Sequence, residues 1–489
     1  MTAVACGFDG RMIIDGIRRD AVSGKRFEVR NPATDEAIAS VASGGAEEAN
    51  AAIDAAVRAL PAWRERPAVE RARLLLALSR RMLEERDRLA RILTAEQGKP
   101  LGEARGEIEY AASFLEWSAE DARRLLGETV PASVPGKRIL ILARPVGVTA
   151  AITPWNFPAA MITRKLGPAL AVGCTQVVKA AELTPLSALA IGELAIEVGF
   201  PPGVMNFVSG DPEQIAGAFF SHPEVRKVSF TGSTEVGKIL MRQAADRVVR
   251  LSLELGGHAP LIVFDDADLD RAVAGAMGSK FRNAGQTCIC ANRLLVQRGI
   301  AEEFTRRLTE AVQALVVGPG DAEGVSIGPL IDDAAISKVE AHVADAQRRG
   351  ARVLCGGARA HPKDARGRRL ADRFFEPTVI EGAGPAMLCM REETFGPVAP
   401  VMTFDTEEQA IEIANGTPFG LAAYFFTRDA SRIWRLSERL DFGVIGANDA
   451  LPSAPQVPFG GVKQSGFGRE GGPHGTREFV DLHYVSVGI

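Results

Sequence analysis

Val148-Thr149-Ala150-Ala151-Ile152-Thr153 reads as a buried strand, and Gln176-Val177-Val178-Lys179 reads as the next. Both are short apolar runs between turn signals, the pattern of strands covered on two faces. Pro185 to Val198 is a helix that opens with proline near its first turn. Met205 to Val208 and Lys227 to Phe230 are further short strands, and Ser233 to Ala245 is another helix. Strand and helix alternate at about the spacing of βαβ units, so the fold class is α/β, with a parallel sheet covered by helices.

Working downstream, a second alternating set follows Gly257. It opens with strand Leu261 to Phe264 and a helix from Asp268 to Ala284. Helix Glu302 to Leu315, a helix across 333–348 and strand Arg352 to Cys355 come next. Helix Glu407 to Ala414, strand Leu421 to Phe426 and helix Arg432 to Leu440 complete it. Upstream, the first 130 residues are mostly helical, with helices at Ala46 to Leu60, Val69 to Leu93 and Glu103 to Leu126. Val134 to Leu142 suggests a protruding hairpin, and Thr476 to Ile489 has strand-like alternation. Pro362 to Arg369 reads as a solvated, Arg-rich turn.

At 489 residues the chain is too long for one ordinary core. A formal charge of -4 gives no basic footprint for nucleic acid. No apolar run approaches a membrane span. The start, Met1-Thr2-Ala3-Val4-Ala5-Cys6, lacks the basic region and apolar core of a secretory signal. Six cysteines make no disulfide framework, so a cytoplasmic setting is expected. Histidine is scarce, at six residues, and no HxxH or CxxC occurs, so no metal site is expected.

Chemistry concentrates in a few segments. Gly285-Gln286-Thr287-Cys288 places a thiol in a polar loop after a helix, a poor setting for a cysteine whose only job is packing. A thiolate attacks a carbonyl carbon readily and leaves readily from a thioester. Cys290 reads as packing, with a reversible link to Cys288 as the less favoured reading. Glu254 precedes a glycine pair and is flanked by Leu253 and Leu255. A partly buried strand end would raise its pKa towards the range of a useful base, while a surface or capping glutamate is the plain alternative. Phe230-Thr231-Gly232-Ser233-Thr234-Glu235-Val236-Gly237 is a strand–turn–helix junction, where free N–H groups can take a pyrophosphate or a side chain can simply cap the helix. Asn156, in Trp155-Asn156-Phe157-Pro158, is either an oxyanion donor or a turn residue.

Taken together, these segments resemble the aldehyde dehydrogenase superfamily. The matches run in the family's order: Pro154-Trp155-Asn156-Phe157-Pro158, Lys179 with Glu182, Phe230-Thr231-Gly232-Ser233, Glu254-Leu255-Gly256-Gly257, Gly285-Gln286-Thr287-Cys288, Glu393-Thr394-Phe395-Gly396-Pro397 and Pro458-Phe459-Gly460-Gly461. The resemblance implies a Rossmann-type NAD-binding domain from 1–127 and 146–253, and a catalytic domain from 254–465. It also implies bridging elements at 128–145 and 466–489 that build a homodimer or homotetramer. It makes Cys288 the nucleophile, with Asn156 and the Cys288 N–H as the oxyanion hole. Hydride passes from the thiohemiacetal to the nicotinamide, and Glu254 activates the water that hydrolyses the thioester. Lys179 is placed among the catalytic and cofactor residues. Thr153, Pro154, Trp155, Glu182, Thr231, Gly232, Ser233, Gly237, Leu255, Glu393 and Phe395 complete the cofactor set. A carboxylate at Glu182 favours NAD over NADP, whose 2′-phosphate it would repel.

The nearest resemblance is to succinate-semialdehyde dehydrogenases, through Ala159 to Lys165, Ser279 to Asn283 and the Cys288-Ile289-Cys290 pair. That group binds the substrate's distal carboxylate through arginines matching Arg164 and Arg282, with Ser453 as a further contact. The alternative for either arginine is a structural ion pair. His258, Ala180 and the loop Asn448 to Val457, with prolines at 452 and 455, depart from the group's pattern. Glutarate semialdehyde, uncharged aldehydes or a broad specificity therefore stay open. More remote readings are a cofactor-independent thiol esterase and a non-catalytic relative.

Overall fold

The computed structural model describes residues 9–489; Met1 to Cys6, read above for a signal segment, lie outside the described residues. Val148–Ile152, Thr175–Lys179 and Met205–Val208 are buried at every position, as parallel strands covered on both faces must be. They form the centre of an eight-stranded sheet. Its order is Ile17–Arg19, Met12–Ile14, Met205–Val208, Thr175–Lys179, Val148–Ile152, Val225–Thr231, Arg250–Glu254 and Gly466–Phe467. The five inner strands run parallel, and the outer ones are antiparallel.

Val148–Ile152 connects to a neighbour on one side, while Val225–Thr231 pairs on its other side. The strand order thus reverses at this point, and ligands of open α/β sheets bind in the crevice outside such a reversal. The register brings Ile152 level with Lys179 and Phe230, and Thr231 level with Glu254. Thr153, Lys179, Thr231 and Glu254 therefore share the carboxyl edge of this sheet.

A seven-stranded sheet holds the second core. Its order is Arg352–Cys355, Thr378–Glu381, Val398–Phe404, Ala291–Gln297, Ala259–Val263, Ala422–Phe426 and Val444–Ala447, parallel except at the Arg352–Cys355 edge. The chain passes from Glu254, at the end of the first sheet, to Ala259, at the start of the second, in four residues. Ala259 is level with Ala291, just past Cys288. A third, antiparallel sheet joins Val480–Gly488, Lys137–Pro145 and Glu128–Val130. The expected hairpin is therefore present, and the C-terminal alternation pairs with it. Among the described residues, no helix is long and apolar enough to cross a membrane.

The structure departs from the sequence reading in three places. The early segment contains antiparallel strands Met12–Ile14, Ile17–Arg19, Arg26–Arg30 and Ala37–Ala42, the first three at most five residues long and the fourth rich in alanine, a composition that reads as helix. The expected Val69 to Leu93 helix is two, Ala68–Glu84 and Arg86–Gln97, broken at Glu85. The helix expected from Asp268 to Ala284 ends at Lys280, and Asn283 and Ala284 turn left-handed at φ of 53° and 55°. Such angles break the helical ladder and swing the following loop towards the first sheet.

Leu294 is fully buried in the middle of the second sheet. Leu294→Ala is expected to cost about 2–5 kcal/mol, read as a lower denaturant midpoint at unchanged slope. Leu126→Ala, at an exposed site, is expected to leave the midpoint unchanged.

Candidate active site

Cys288 is half-buried because it faces two cavities that meet at its side chain. The cavity of about 350 Å³ is lined by Pro154, Trp155, Asn156, Thr231, Gly232, Ser233, Glu254, Leu255, Glu393 and Phe395. The cavity of about 330 Å³ is lined by Arg164, Arg282, Ser453, Tyr110 and Phe459. Cys288, Phe157 and Met161 belong to both walls. Most of the site residues expected from sequence are thus brought together around one thiol. Thr153, Lys179, Glu182 and Gly237 line neither cavity. Lys179 is ion-paired with Glu182, three residues on, and the Thr153 N–H donates to the Lys179 carbonyl at 3.1 Å.

The close approach of the two sheets sets the geometry. A Cβ on Gly257 would stand 2.4 Å from the Cys288 carbonyl oxygen. The Gly257 N–H donates to Glu393 at 2.9 Å. Ser233 caps the helix Thr234–Ala245, accepting from the Val236 N–H at 3.2 Å. A Cβ on Gly232 would stand 2.3 Å from the Phe230 ring, so the turn needs its glycine. Trp155 and Phe395 meet edge to face at 5.6 Å, with Phe395 held at a φ of 55°.

Burial dominates the electrostatics. It pushes the Cys288 thiol up to about 12, with the carboxylates of Glu393 and Glu254 adding to the effect. It pushes the Glu393 carboxyl up to about 7. Glu254 is raised well above the usual carboxylate range, first by burial and then by the nearby Glu470. Neither Glu254 oxygen has a hydrogen-bond partner among the described residues. Asn156 Nδ2 gives one hydrogen to the Gln286 carbonyl at 3.1 Å and keeps the other.

The second cavity holds two arginines, in a wall that also carries Lys99, Glu103 and Glu107. Arg164 is 2% exposed. Its guanidinium lies between the rings of Phe459 and Phe114, at 4.3 and 4.9 Å, and its Nε stands 2.7 Å from Glu470. Its Nη2 has no hydrogen-bond partner among the described residues. Arg282 stacks on Phe157 at 5.5 Å, and its Nε is likewise unpartnered. The Ser453 hydroxyl meets the Tyr110 hydroxyl. Arg164 and its neighbour Lys165 are both buried and both pair with Glu470, so Arg164 also makes the structural ion pair given above as its alternative role. Cys290 is fully buried, its thiol donating to the Lys280 carbonyl at 3.4 Å. His258 is fully buried behind the Cys288 loop, with its backbone carbonyl bound by Arg293.

Sequence reasoning missed Tyr110, Glu470, Phe157 and Met161. Tyr110 sat in an ordinary helical pattern, and Glu470 lies 305 residues from the lysine it meets.

A sequence model described as the aldehyde dehydrogenase family matches residues 19–485. The chain is 52% identical over 482 residues to the NADP(+) succinate-semialdehyde dehydrogenase of Escherichia coli (strain K12), covering 99% of this chain and 98% of that protein. It is 51% identical to the glutarate-semialdehyde dehydrogenase of Pseudomonas aeruginosa, covering 98% of each. The crystal structure of succinate-semialdehyde dehydrogenase from Burkholderia pseudomallei superposes with a TM-score of 0.96 at 51% identity, covering 99% of this chain and 98% of that one.

A thiol held neutral by burial predicts slow alkylation. In the protein alone, the rate of Cys288 labelling by iodoacetamide, followed by peptide mass spectrometry, is expected to rise about tenfold per pH unit from pH 7 to 10. A plateau near neutrality would contradict the burial effect.

Proposed function

The chain is an oxidoreductase that belongs to the aldehyde dehydrogenase family, and on that premise we propose that it oxidises an ω-carboxylated semialdehyde to the carboxylic acid through a thioester on Cys288. Succinate semialdehyde is the first candidate, and glutarate semialdehyde the second. The observation that carries this reading is the position of Cys288 between two cavities, one of them holding guanidinium nitrogens with no partner. Two such groups can fix a distal carboxylate while the aldehyde end reaches the thiol. The names of the relatives in Escherichia coli and Pseudomonas aeruginosa support the same substrate class.

Family members use NAD or NADP. The crevice at the strand reversal fits a dinucleotide: Gly232 leaves the turn open, Ser233 caps the adjoining helix, and Glu393 and Phe395 close the far end. In this reading Thr231, Gly232, Ser233 and Gly237 take the pyrophosphate end. Thr153, Pro154, Trp155 and Leu255 wall the crevice, and Glu393 and Phe395 hold the nicotinamide riboside. Lys179 and Glu182 hold the adenosine ribose, and the Glu182 carboxylate favours NAD by repelling a 2′-phosphate. When bound, the nicotinamide supplies the hydride acceptor.

The chain's own residues do the rest. Glu254 accepts the Cys288 proton as Sγ attacks the aldehyde carbon. The free hydrogen of the Asn156 amide and the Cys288 N–H receive the oxyanion. After oxidation to the thioester, Glu254 releases the Cys288 proton to solvent and, a carboxylate again, takes a proton from the attacking water. The carbon–sulfur bond then breaks, and the proton returns to Cys288. The three-stranded sheet exposes Leu482 and Tyr484, at 72% and 66%. Exposed apolar groups on one sheet support assembly into a homodimer or homotetramer. Cys174, Cys288, Cys290, Cys355 and Cys389 are unpaired, which supports a cytoplasmic setting.

NADH formation with succinate semialdehyde, glutarate semialdehyde, propanal and benzaldehyde tests the reading. Carboxylated aldehydes are expected to lead, and Arg282→Leu to lower their kcat/KM by at least about thirtyfold with propanal unchanged. Equal turnover of uncharged aldehydes by the native protein would sink the clamp. Glu182→Ser is expected to shift the NAD/NADP ratio towards NADP.

The raised carboxyl of Glu254 sets the pH response. Its carboxylate form is lost as pH falls through its raised pKa, so kcat/KM falls with it. The acid limb is expected well above roughly pH 4, where an unperturbed glutamate would place it.

A further inference from the structure

The corner between helices Arg86–Gln97 and Leu101–Ala122 contains Gln97-Gly98-Lys99, and it reaches both loops that meet at Cys288. Lysine and glutamate are seldom fully buried unless paired. Here Lys99 and Glu107 are 2% and 4% exposed. Lys99 Nζ donates to Glu107 at 2.6 Å and to the Asn156 carbonyl at 2.8 Å, and it lies 3.9 Å from the centroid of the Phe157 ring. The other oxygen of Glu107 accepts from the Ala159 and Ala160 N–H groups at 2.9 and 3.3 Å. These open the helix that carries Arg164. Gln97 donates to the Asn283 side-chain oxygen at 3.0 Å and accepts from the Lys99 N–H at 2.9 Å. The Asn283 amide then donates to the Asn156 and Gln286 carbonyls at 3.1 and 3.2 Å.

Gly98 makes the corner possible. It has a φ of +95°, and a Cβ there would stand 2.7 and 2.8 Å from the Pro329 and Pro32 rings. Desolvation offsets much of the attraction within a buried ion pair, so this pair is a poor source of stability. Its distinguishing property is direction: every side-chain hydrogen bond it makes outside the pair ends on the Asn156 loop, directly or through the start of the next helix. Two donors fix the Asn156 carbonyl, and the same residue lines the cavity that Cys288 also walls.

We infer that Lys99 is a positioning residue for the oxyanion hole, acting through the Asn156 carbonyl, with Gln97 and Asn283 as the second arm of the same support. The inference rests on the reading of the Asn156 amide as the oxyanion donor. Lys99 touches no reacting atom in this account. It holds the amide where charge develops, and misplacing a donor by about 1 Å can cost on the order of a hundredfold in rate.

The test is a double-mutant cycle on the full-length enzyme, with NAD and succinate semialdehyde. Lys99→Met combined with Glu107→Gln removes the buried charges together and keeps the carbonyl that accepts from Ala159. It is expected to lower kcat at least about tenfold, with KM and the NAD Kd, read by fluorescence quenching, within about threefold. In an Asn156→Ala background the same change is expected to cost less than about threefold, because the donor it positions is gone. An equal loss in both backgrounds, or an unchanged kcat, overturns the inference. If Asn156→Ala alone leaves kcat unchanged, the oxyanion reading fails and the inference falls with it. If the paired variant does not fold, Gln97→Met, which frees only the Asn283 arm, is put through the same cycle. A smaller loss that vanishes without Asn156 supports the inference, and any other result overturns it.

Discussion

The structure depends on one close approach, that of Gly257 to the carbonyl of Cys288. A hydrogen fits between them, while a Cβ would stand 2.4 Å from the oxygen. This contact locks the strand that ends at Glu254 to the loop that carries the thiol. The chain has only Leu255 to His258 in which to cross from one sheet to the other. Both sheets therefore present their ligand-facing edges to a single cleft. The first contributes its carboxyl edge, with Thr231 and Glu254, and the second contributes the loop that enters its central strand.

Burial then sets the chemistry. Cys288, Glu254 and Glu393 are all shifted against their charged forms, with desolvation the largest cause in each case. One pKa unit is about 1.4 kcal/mol, so a thiol pushed up to about 12 is held inert until a partner takes its proton. Glu254, unsatisfied at both oxygens and raised in pKa, has the character of such a partner. Arg164 shows the opposite arrangement. Desolvation disfavours its charge, but the neighbouring Tyr110 and then Glu470 outweigh this and hold its pKa up, while two aromatic faces stack on the guanidinium. The cavity thus holds a neutral nucleophile beside fixed cations, which suits an electrophile that carries its own anion.

Much of this was legible in sequence, because it rests on local patterns. Buried runs such as Val148 to Ile152 and Thr175 to Lys179 announce parallel strands whatever else the chain does. The glycines at 232, 256 and 257 mark close approaches. What was not legible is non-local. Met12–Ile14 is three residues long and, beside its local partner Ile17–Arg19, joins the large sheet through Met205–Val208, far along the chain. The turn at Asn283 and Ala284 is imposed by contacts, since nothing in those side chains demands positive φ. Lys99, Glu103 and Glu107, four residues apart along the chain, have the spacing of a solvated helix face. Two of them are instead sealed beneath the Asn156 loop, because Gly98 turns the chain inward there. Burial of a charge is a tertiary fact, and spacing cannot report it.

The central claim is that Cys288 carries the acyl group and that Glu254 is needed to release it. The most direct measurement is acid-quench peptide mass spectrometry of the Glu254→Gln protein mixed with succinate semialdehyde at alkaline pH, where solvent base takes the Cys288 proton in place of the missing carboxylate, with and without NAD. The account predicts a succinyl thioester that accumulates on the Cys288 peptide only when NAD is present. An acyl group on another residue, or one on Cys288 that forms equally without NAD, would contradict it.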